Sequence, residues 1–200
     1  IRSRIPIDDT FIKKATNLKF IARVGSGLEN IDVQSAKNNN IEVISAGEAN
    51  ANAVGEHIIG LLFSLINKIN ISSIQVRKGI WKREQNRGFE IEGKTIGIIG
   101  FGKTGKSFAK KLKGFNNLNI ICYDIKSNLG DESAKQVPLE EIQKKAQILS
   151  LHIPETDKTL GIINKKFIDK MKHSFWLINT ARGKIVVTDD LIDALNSGKI

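Results

Sequence analysis

The sequence has only one cysteine among its 200 residues, Cys122, so no disulfide can form within the chain. A disulfide-stapled secreted scaffold is not expected, and a reducing cytoplasmic location is. No uninterrupted apolar run reaches the ~18 residues of a membrane span; the longest, "IIGLLFSLI", lies between His57 and Asn67. A signal-peptide pattern and a zinc-ligand spacing are also missing, so we expect neither a membrane partner nor a metal.

Acidic residues are few beside basic ones: 21 Asp and Glu against 31 Lys and Arg leave a net charge of +10. Such a balance is typical of nucleic-acid-binding proteins. The lysines, however, are scattered or lie in clusters such as "KKLK" on the polar faces of predicted helices. Neither an aromatic stacking motif nor a recognition-helix signature accompanies them. We therefore expect a solvated basic surface and no nucleic-acid partner.

The first 94 residues predict a small mixed region and then a long helix. Residues 18–24 and 41–45 are candidate strands, and Asp32 is a candidate N-cap for a short helix between them. Apolar residues at 3- and 4-residue spacings predict one helix that continues toward Gly79. Those residues are Val54, Ile58, Leu61, Leu62, Leu65 and Ile69. A polar loop with a short hairpin-like end is predicted for 79–93.

From residue 95 onward, short apolar segments alternate with amphipathic ones. The predicted strands are 95–99, 119–124, 148–152 and 175–179, and the predicted helices are 103–113, 139–146, 164–172 and 188–198. This alternation is typical of βαβ units. It predicts an α/β fold with a doubly wound parallel sheet covered by helices on both faces.

The segment "TIGIIGFGKTGKS" carries a dinucleotide-binding pattern directly after a predicted strand. Gly100, Gly102 and Gly105 form G-x-G-x-x-G, which allows a tight turn, close approach to a pyrophosphate and close helix packing. Asp124 ends the next strand, 19 residues after Gly105, where a carboxylate binds the adenosine ribose. This interpretation predicts NAD rather than NADP, because the carboxylate repels a 2′-phosphate.

The same letters also match the P-loop pattern G-x-x-x-x-G-K-[ST] twice. In that interpretation Lys106 binds the β- and γ-phosphates of a nucleoside triphosphate and Ser107 binds Mg²⁺. Asp124 would then serve as the Walker-B carboxylate. The pattern alone leaves both interpretations open.

Three other segments have no role in a P-loop enzyme. "INTARGKIVV" places Arg182 at a strand's carboxyl end, where a guanidinium can hold a carboxylate through two hydrogen bonds. "RVGSGLENID" offers the backbone N–H groups of a second glycine turn to an anion. "LHIPETDKTLGIIN" brings a further strand end to the same edge of the sheet. These segments favour the dinucleotide interpretation.

Together, and in this order, "RVGSGLENID", "NAVGEH", "GIIGFGKTG", "HIPET" and "INTARG" resemble the D-isomer-specific 2-hydroxyacid dehydrogenases over essentially the whole chain. The resemblance implies a Rossmann-type NAD-binding domain at 70–200 and a linking helix at 46–69. Residues 1–45 would be part of a smaller flavodoxin-like substrate domain. Both ends of the family pattern are missing, so we expect a fragment, with the NAD-binding domain incomplete at its C-terminal end. A homodimer through the NAD-binding domain is also implied.

The resemblance also implies roles for individual residues. Arg182 matches the catalytic arginine that binds the carboxylate and carbonyl of the substrate. The matching cofactor-binding positions are Ser26, Gly100, Gly102, Lys103, Thr104, Gly105, Asp124, Ile153, Thr180 and Ala181. The matching substrate-binding positions are Arg2, Gly25, Ser26 and Gly27.

The implied activity is transfer of a hydride between C2 of a D-2-hydroxy acid and the nicotinamide of NAD. The resemblance is nearest to members that act on 3-phospho-D-glycerate in serine synthesis, and glyoxylate, hydroxypyruvate or lactate types and a corepressor-type NAD sensor are alternatives. The family's acid/base histidine and its glutamate lie beyond residue 200, so this fragment should not turn over. We expect His57 to pack within its helix, His152 to be a structural strand-end residue and His173 to be exposed in a loop.

Overall fold

A computed structural model describes residues 1–2 and 4–200 of the chain. The chain divides into two compact units, Ile1–Ala51 and Asn52–Ile200. The predicted domain limits at 45/46 and 69/70 stay predictions.

The first unit is built around two short parallel strands. It contains α1 (Asp9–Lys14), β1 (Phe20–Arg23), α2 (Val33–Asn38) and β2 (Glu42–Ser45). Asp32 caps α2 as predicted, because its carboxylate accepts a hydrogen bond from Ser35 N at 2.8 Å. The small core consists of Ile7, Ile12, Ile21, Ile31, Ala36 and Ile41. Helix α1, which Asp8 caps through Phe11 N, is absent from the sequence prediction.

The second unit contains a five-stranded sheet in the order β5-β4-β3-β6-β7, and every pairing is parallel. The strands are β3 (Thr95–Ile99), β4 (Asn119–Tyr123), β5 (Lys135–Gln136), β6 (Ile148–Leu151) and β7 (Trp176–Asn179). The order corresponds to the first five strands of the doubly wound order 3-2-1-4-5-6. The predicted parallel sheet is thus confirmed, with β5 as an additional strand of two residues.

Helices cover both faces of this sheet. They are α3 (Gly47–Ile66, which begins in the first unit), α5 (Lys103–Leu112), α6 (Leu139–Lys145), α7 (Lys165–Lys170) and α8 (Thr188–Asn196). Helix α4 (Ile69–Arg77) follows α3 and has no buried residue. Successive side chains of β3 point to opposite faces. Ile98 therefore packs with α3 and α5, whereas Ile99 packs with α6, α7 and α8.

The single long helix predicted toward Gly79 is wrong. Helix α3 ends at Ile66, and Lys68 has a left-handed backbone conformation with φ of 52° before α4 begins. Two hydrogen bonds hold the break: Phe89 N donates to Ile66 O at 3.2 Å, and Lys68 Nζ donates to Gln85 O at 2.7 Å. A contact distant in sequence therefore ends the helix.

The predicted apolar face of this helix is buried only in part. Ile58 and Leu62 are fully buried, whereas Leu61 and Leu65 are 40% and 47% exposed and Ile69 is half exposed. Helix α3 is also long and apolar enough to cross a bilayer by length and composition. Its mean hydropathy is 1.2, and 28% of its apolar 18-residue stretch is buried. Because its most buried side chains fill the core of a sheet, this is weak support for a membrane span.

Residues 79–93 form turns and extended segments without a strand. The hairpin-like piece predicted there is therefore wrong. Gly88 instead lies close to the end of α3, where a Cβ atom would be 2.9 Å from Asn67 Cα.

Candidate functional site

The sheet order reverses direction between β3 and β6. From β3 the chain continues through β4 to β5 on one side, and β6 then pairs with the other side of β3. In open α/β sheets, ligands bind outside the carboxyl ends of the strands at such a point. Gly100 follows β3 there and His152 follows β6, so the predicted glycine turn lies at the switch point.

Gly100 occupies a position that tolerates no side chain. Its φ is +92°, and a Cβ atom would lie 2.7 Å from the carbonyl carbon and oxygen of His152. Its N–H donates to Tyr123 O at 2.8 Å, which continues the β3–β4 ladder into the turn. The turn is therefore fixed by backbone on both sides.

Gly102 and Gly105 fit the dinucleotide pattern for different reasons. A Cβ atom on Gly105 would overlap the carbonyl oxygen of Gly100, so this glycine permits close packing of α5 on the turn. Gly102 is the N-cap of α5, has no side-chain cap and faces open space within 4 Å. A helix N-terminus that follows such a turn can bind an anion through its backbone N–H groups. These residues fit a pyrophosphate.

Asp124 lies immediately after β4 and is held by two backbone donors. Phe101 N donates to its Oδ2 at 2.8 Å, and Lys126 N donates to its Oδ1 at 3.0 Å. A carboxylate oxygen can accept more than one hydrogen bond, so the group can still accept ribose hydroxyls. The same carboxylate also fixes the glycine turn, a second role that the sequence pattern does not reveal.

The two residues that imitate a P-loop face other partners. Lys106 Nζ lies 3.5 Å from Asp131 Oδ2 and 5.4 Å from the centre of the Phe101 ring. Ser107 packs on α3, where a Cβ atom on Gly55 would lie 2.6 Å from Ser107 Oγ. Neither contact is the one that a triphosphatase would need. Across residues 1–2 and 4–200, no group of three or more His, Cys, Asp and Glu residues could hold a metal.

Arg182 follows β7 in a loop that a neighbouring amide braces. Asn179 Oδ1 accepts from Ala181 N at 3.0 Å, and Asn179 Nδ2 donates to Arg182 O at 2.9 Å. The half-buried Arg182 side chain donates from Nη1 to Ala181 O at 2.8 Å. Asn179 belongs to the quoted "INTARG" motif, but sequence reasoning assigned it no role. It is a positioning residue for this loop.

The remaining predicted cofactor residues of the second unit lie after the ends of three strands. Ile153 follows β6, and its Cγ2 is the side-chain atom nearest to a Cβ built on Gly100. Lys103 and Thr104 open α5 after the β3 turn, and Thr180 and Ala181 follow β7. The structure therefore brings this predicted set to one edge of the sheet.

The first unit contains the other glycine turn, at Gly25–Gly27 after β1. Gly25 has φ of +147°, and its carbonyl oxygen accepts from Ala46 N at 3.1 Å. The Arg23 guanidinium lies against Gly25, where a Cβ atom would be 2.8 Å from Nη1, and Nη1 donates to Val24 O at 2.7 Å. Arg23 is a further residue to which sequence reasoning assigned no role.

The other predicted substrate residues of this unit are exposed to different extents. Ser26 and Arg2 are exposed, and Gly27 is half-buried. The carbonyl oxygen of Arg2 lies 3.5 Å from Asn30 Nδ2, which also donates to Ile5 O at 2.9 Å. The contacts of Asn30 thus tie the backbone at Arg2 and Ile5 to the rest of the first unit.

The three histidines differ from one another. His57 is exposed on α3, so the prediction that it packs within the helix is wrong, whereas His173 is exposed in a loop as predicted. His152 is the structural residue expected: its Nε2 lies 2.9 Å from Ser150 Oγ, and its ring stacks on Phe108 at 5.8 Å. Burial lowers the pKa of His152 to about 4, so the imidazole is neutral at pH 7.

Cys122, on β4, is also buried. Desolvation, together with the nearby carboxylates of Asp131 and Asp124, raises the pKa of its thiol to about 12. Because the thiolate is the nucleophilic form, Cys122 is inert at neutral pH.

Comparisons with known proteins agree with this geometry. Residues 59–200 match the family described as D-isomer specific 2-hydroxyacid dehydrogenase, NAD binding domain. The chain is 37% identical over its full length to a hydroxypyruvate reductase of Thermotoga maritima and covers 65% of it. It is 34% identical to a D-3-phosphoglycerate dehydrogenase of Archaeoglobus fulgidus, again over its full length, and covers 38% of that protein.

A solved structure shares the fold. It is the D-lactate dehydrogenase of Aquifex aeolicus complexed with NAD and lactic acid, with a TM-score of 0.88 and 29% identity. The similarity covers all of this chain and 60% of that one. The chain thus spans about two fifths to two thirds of the length of the proteins named here.

Proposed function

We propose a function from one premise: the chain belongs to the D-isomer specific 2-hydroxyacid dehydrogenases and carries their NAD-binding domain. We infer that the protein to which it contributes transfers a hydride between a D-2-hydroxy acid and NAD. The observation that carries this proposal is the alignment of Gly100, Asp124 and Arg182 after the carboxyl ends of β3, β4 and β7.

Each group has a distinct task in this proposal. The N-terminus of α5 faces the pyrophosphate, and Asp124 accepts the ribose hydroxyls. Arg182 binds the substrate carboxylate and polarises the neighbouring oxygen, so that C2 is held in a reactive orientation. When bound, NAD supplies the hydride acceptor. We also propose substrate-binding roles for Ser26 and for the backbone of Gly25 and Gly27.

We propose that the proton of the hydroxyl group is taken by a residue other than the three histidines of this chain. His152 is neutral and half-buried, whereas His57 and His173 are exposed on a helix and in a loop. We propose that the acid/base histidine and its glutamate lie outside these 200 residues. The purified chain should therefore bind NADH and not turn over.

Titration with NADH tests the cofactor proposal directly, with energy transfer from the two tryptophans as the signal. Asp124→Ala should abolish binding, because it removes the ribose acceptor and the anchor of Phe101 N. Asp124→Ser should lower the affinity for NADH by roughly tenfold. It should also reduce the difference in affinity between NADH and NADPH, since the charge that repels a 2′-phosphate is gone. Mg²⁺-dependent binding of ATP in place of NADH would support the triphosphatase alternative.

We propose 3-phospho-D-glycerate as the substrate and thus a D-3-phosphoglycerate dehydrogenase activity. Arg2 and Arg4 supply positive charge suited to a phosphorylated acid, and a relative with that activity is similar over the whole chain. Another relative is a hydroxypyruvate reductase, so the competing substrates are small keto acids. The full-length protein should be assayed with 3-phosphoglycerate, hydroxypyruvate, glyoxylate and lactate. A preference for an unphosphorylated acid would reject the phosphoglycerate assignment alone.

A corepressor-type NAD sensor is the second candidate. The present chain supports it only in that its three histidines suit no acid/base role. Binding of NADH by the full-length protein without turnover of any acid in the panel would favour it.

We also propose a homodimer formed through the NAD-binding unit. Helix α4 has no buried residue, and Ile71, Ile74 and Val76 are each more than half exposed. Trp81, four residues beyond α4, is 80% exposed. An apolar surface of this extent is typical of an interface. Sedimentation velocity should give a dimer, and Ile74→Asp should give a monomer that still binds NADH; a monomeric parent chain would reject the proposal.

The remaining partner and location proposals rest on composition. A single buried thiol suits a reducing cytoplasm. We propose no nucleic-acid or membrane partner, and fractionation of the full-length protein would test both.

A further inference from the structure

We propose that His152 is a positioning residue of the cofactor site: its imidazole, held between Ser150 and Phe108, keeps the 152–153 peptide pressed against Gly100. The turn at the start of α5 thereby keeps the shape that a pyrophosphate needs. This inference rests on the proposed function, because it concerns the same NAD site.

The backbone of His152 forms one wall of the glycine turn. His152 N donates to Ile99 O at 2.7 Å, and its carbonyl group lies where any Cβ on Gly100 would be. A shift of this peptide by a few tenths of an ångström would open or close the turn. Its position therefore needs a firm support.

The imidazole supplies that support from both sides. It joins Ser150, a fully buried residue of β6, through the 2.9 Å contact of Nε2 with Oγ. On its other side it stacks on Phe108 of α5, the helix whose N-terminus would face the pyrophosphate. The ring thus links β6 to α5 directly behind the turn.

The polar character of the ring costs stability, which argues against a role as simple filling. Nδ1 is buried, and no hydrogen-bond partner for it is found in residues 1–2 and 4–200. A phenyl ring would fill the same space without an unpaired nitrogen. The Nε2 contact with Ser150 is what an apolar ring would lose.

Two amide side chains of different length at position 152 distinguish the role of the hydrogen bond to Ser150 from the role of the aromatic ring. His152→Gln places an amide near the Nε2 position, whereas His152→Asn reaches only to the Nδ1 position. Ser150→Ala removes the partner, and His173→Gln is the matched control on an exposed loop. All four variants should be made in the 200-residue chain, with affinities for NADH, ADP-ribose and adenosine measured beside melting temperatures.

We expect His152→Gln and His173→Gln to bind NADH within about threefold of the unsubstituted chain. His152→Asn and Ser150→Ala should lower the affinities for NADH and ADP-ribose by roughly tenfold. The affinity for adenosine, which lacks a pyrophosphate, should be unchanged. Amide NMR shifts should move at Gly100 and Phe101 in these two variants only.

An equal loss of affinity for adenosine and ADP-ribose, accompanied by a matching fall in melting temperature, would overturn the inference in favour of a purely structural role. Unchanged NADH binding in His152→Asn and Ser150→Ala would overturn it as well. Failure of the unsubstituted chain to bind NADH would reject the proposed function and this inference together.

Discussion

The chain contains two glycine turns that start alike and are supported differently. Gly25 follows β1 and Gly100 follows β3, and both have positive φ. Behind Gly100 lies the backbone of His152, whereas behind Gly25 lies the end of a flexible side chain, the Arg23 guanidinium. The turn in the second unit is therefore rigid, and the turn in the first unit is adjustable.

This difference suits the ligands proposed for the two turns. The pyrophosphate of NAD is the same chemical group whichever acid is the substrate, so a fixed turn can bind it without reorganisation. The acids bound by the named relatives differ, from hydroxypyruvate to lactate. A turn lined by a guanidinium can adapt to such differences through side-chain movement.

The largest effect is expected where the rigid turn is blocked. Gly100→Ala should abolish NADH binding and lower the melting temperature, because the new Cβ meets backbone that cannot move and φ is +92°. Gly102→Ala is the control, since open space surrounds that position. It should fold normally and weaken NADH by roughly tenfold, because the methyl group obstructs the pyrophosphate. Equal stability of the two variants would contradict the rigid turn.

The second-largest effect is expected at low pH, because a neutral imidazole supports the rigid turn. Between pH 6.5 and the pKa of about 4 for His152, the unfolded chain binds a proton that the folded chain excludes. The free energy of unfolding should therefore fall with decreasing pH, by up to about 3 kcal/mol over that window. Urea titrations from pH 7 to pH 4 measure it.

His152→Gln should remove this part of the pH dependence, and His173→Gln should retain it. Carboxylates with lowered pKa values, such as Asp131, lose their contribution at lower pH in every variant. Identical pH profiles for the two variants would show that His152 carries no such linkage.

A smaller effect is expected at the adjustable turn. Gly25→Ala must adopt φ of +147°, but the Arg23 side chain can move away from the new methyl group. The free energy of unfolding should fall by about 1 kcal/mol, and NADH affinity of the chain should not change. In the full-length protein the KM for the hydroxy acid should rise. A loss of NADH affinity as large as that of Gly100→Ala would erase the distinction between the turns.

The smallest effect is expected at Lys106, beside the rigid turn. Its ion pair with Asp131 is partly exposed and 3.5 Å long, so Lys106→Met should cost well under 1 kcal/mol. NADH affinity should stay within about twofold, because no role in phosphate binding is proposed for this side chain. A large loss of affinity would show that Lys106 does bind phosphate.

Much of the fold could be predicted from residue 95 onward, because short buried strands and amphipathic helices alternate there. The strand predicted at 119–124, for example, is β4 at Asn119–Tyr123. The break at Lys68 could not be predicted, since contacts with Gln85 and Phe89 produce it and no glycine or proline marks it. Strand β5 has only two residues, too few for a periodic pattern.

For the candidate site, the motif letters predicted the residues at the strand ends but not what holds them. The bonds of Asp124 to Phe101 N and of Asn179 to the Arg182 loop depend on loop conformation. The pairing of Ser150 with His152 follows from the two-residue side-chain period of a strand, which places both on one face. That signal was available in the sequence "SLH".

The single thiol has a practical consequence. Cys122 lies in the core of the sheet beside Tyr123, whose carbonyl oxygen accepts from Gly100 N. A thiol reagent can reach it only when this part of the sheet opens. The rate at which Cys122 is labelled therefore reports how often β4 opens. A ligand that binds the glycine turn should slow this labelling in proportion to the fraction of chains that have ligand bound. Cys122 is thus an intrinsic probe of ligand binding at the glycine turn.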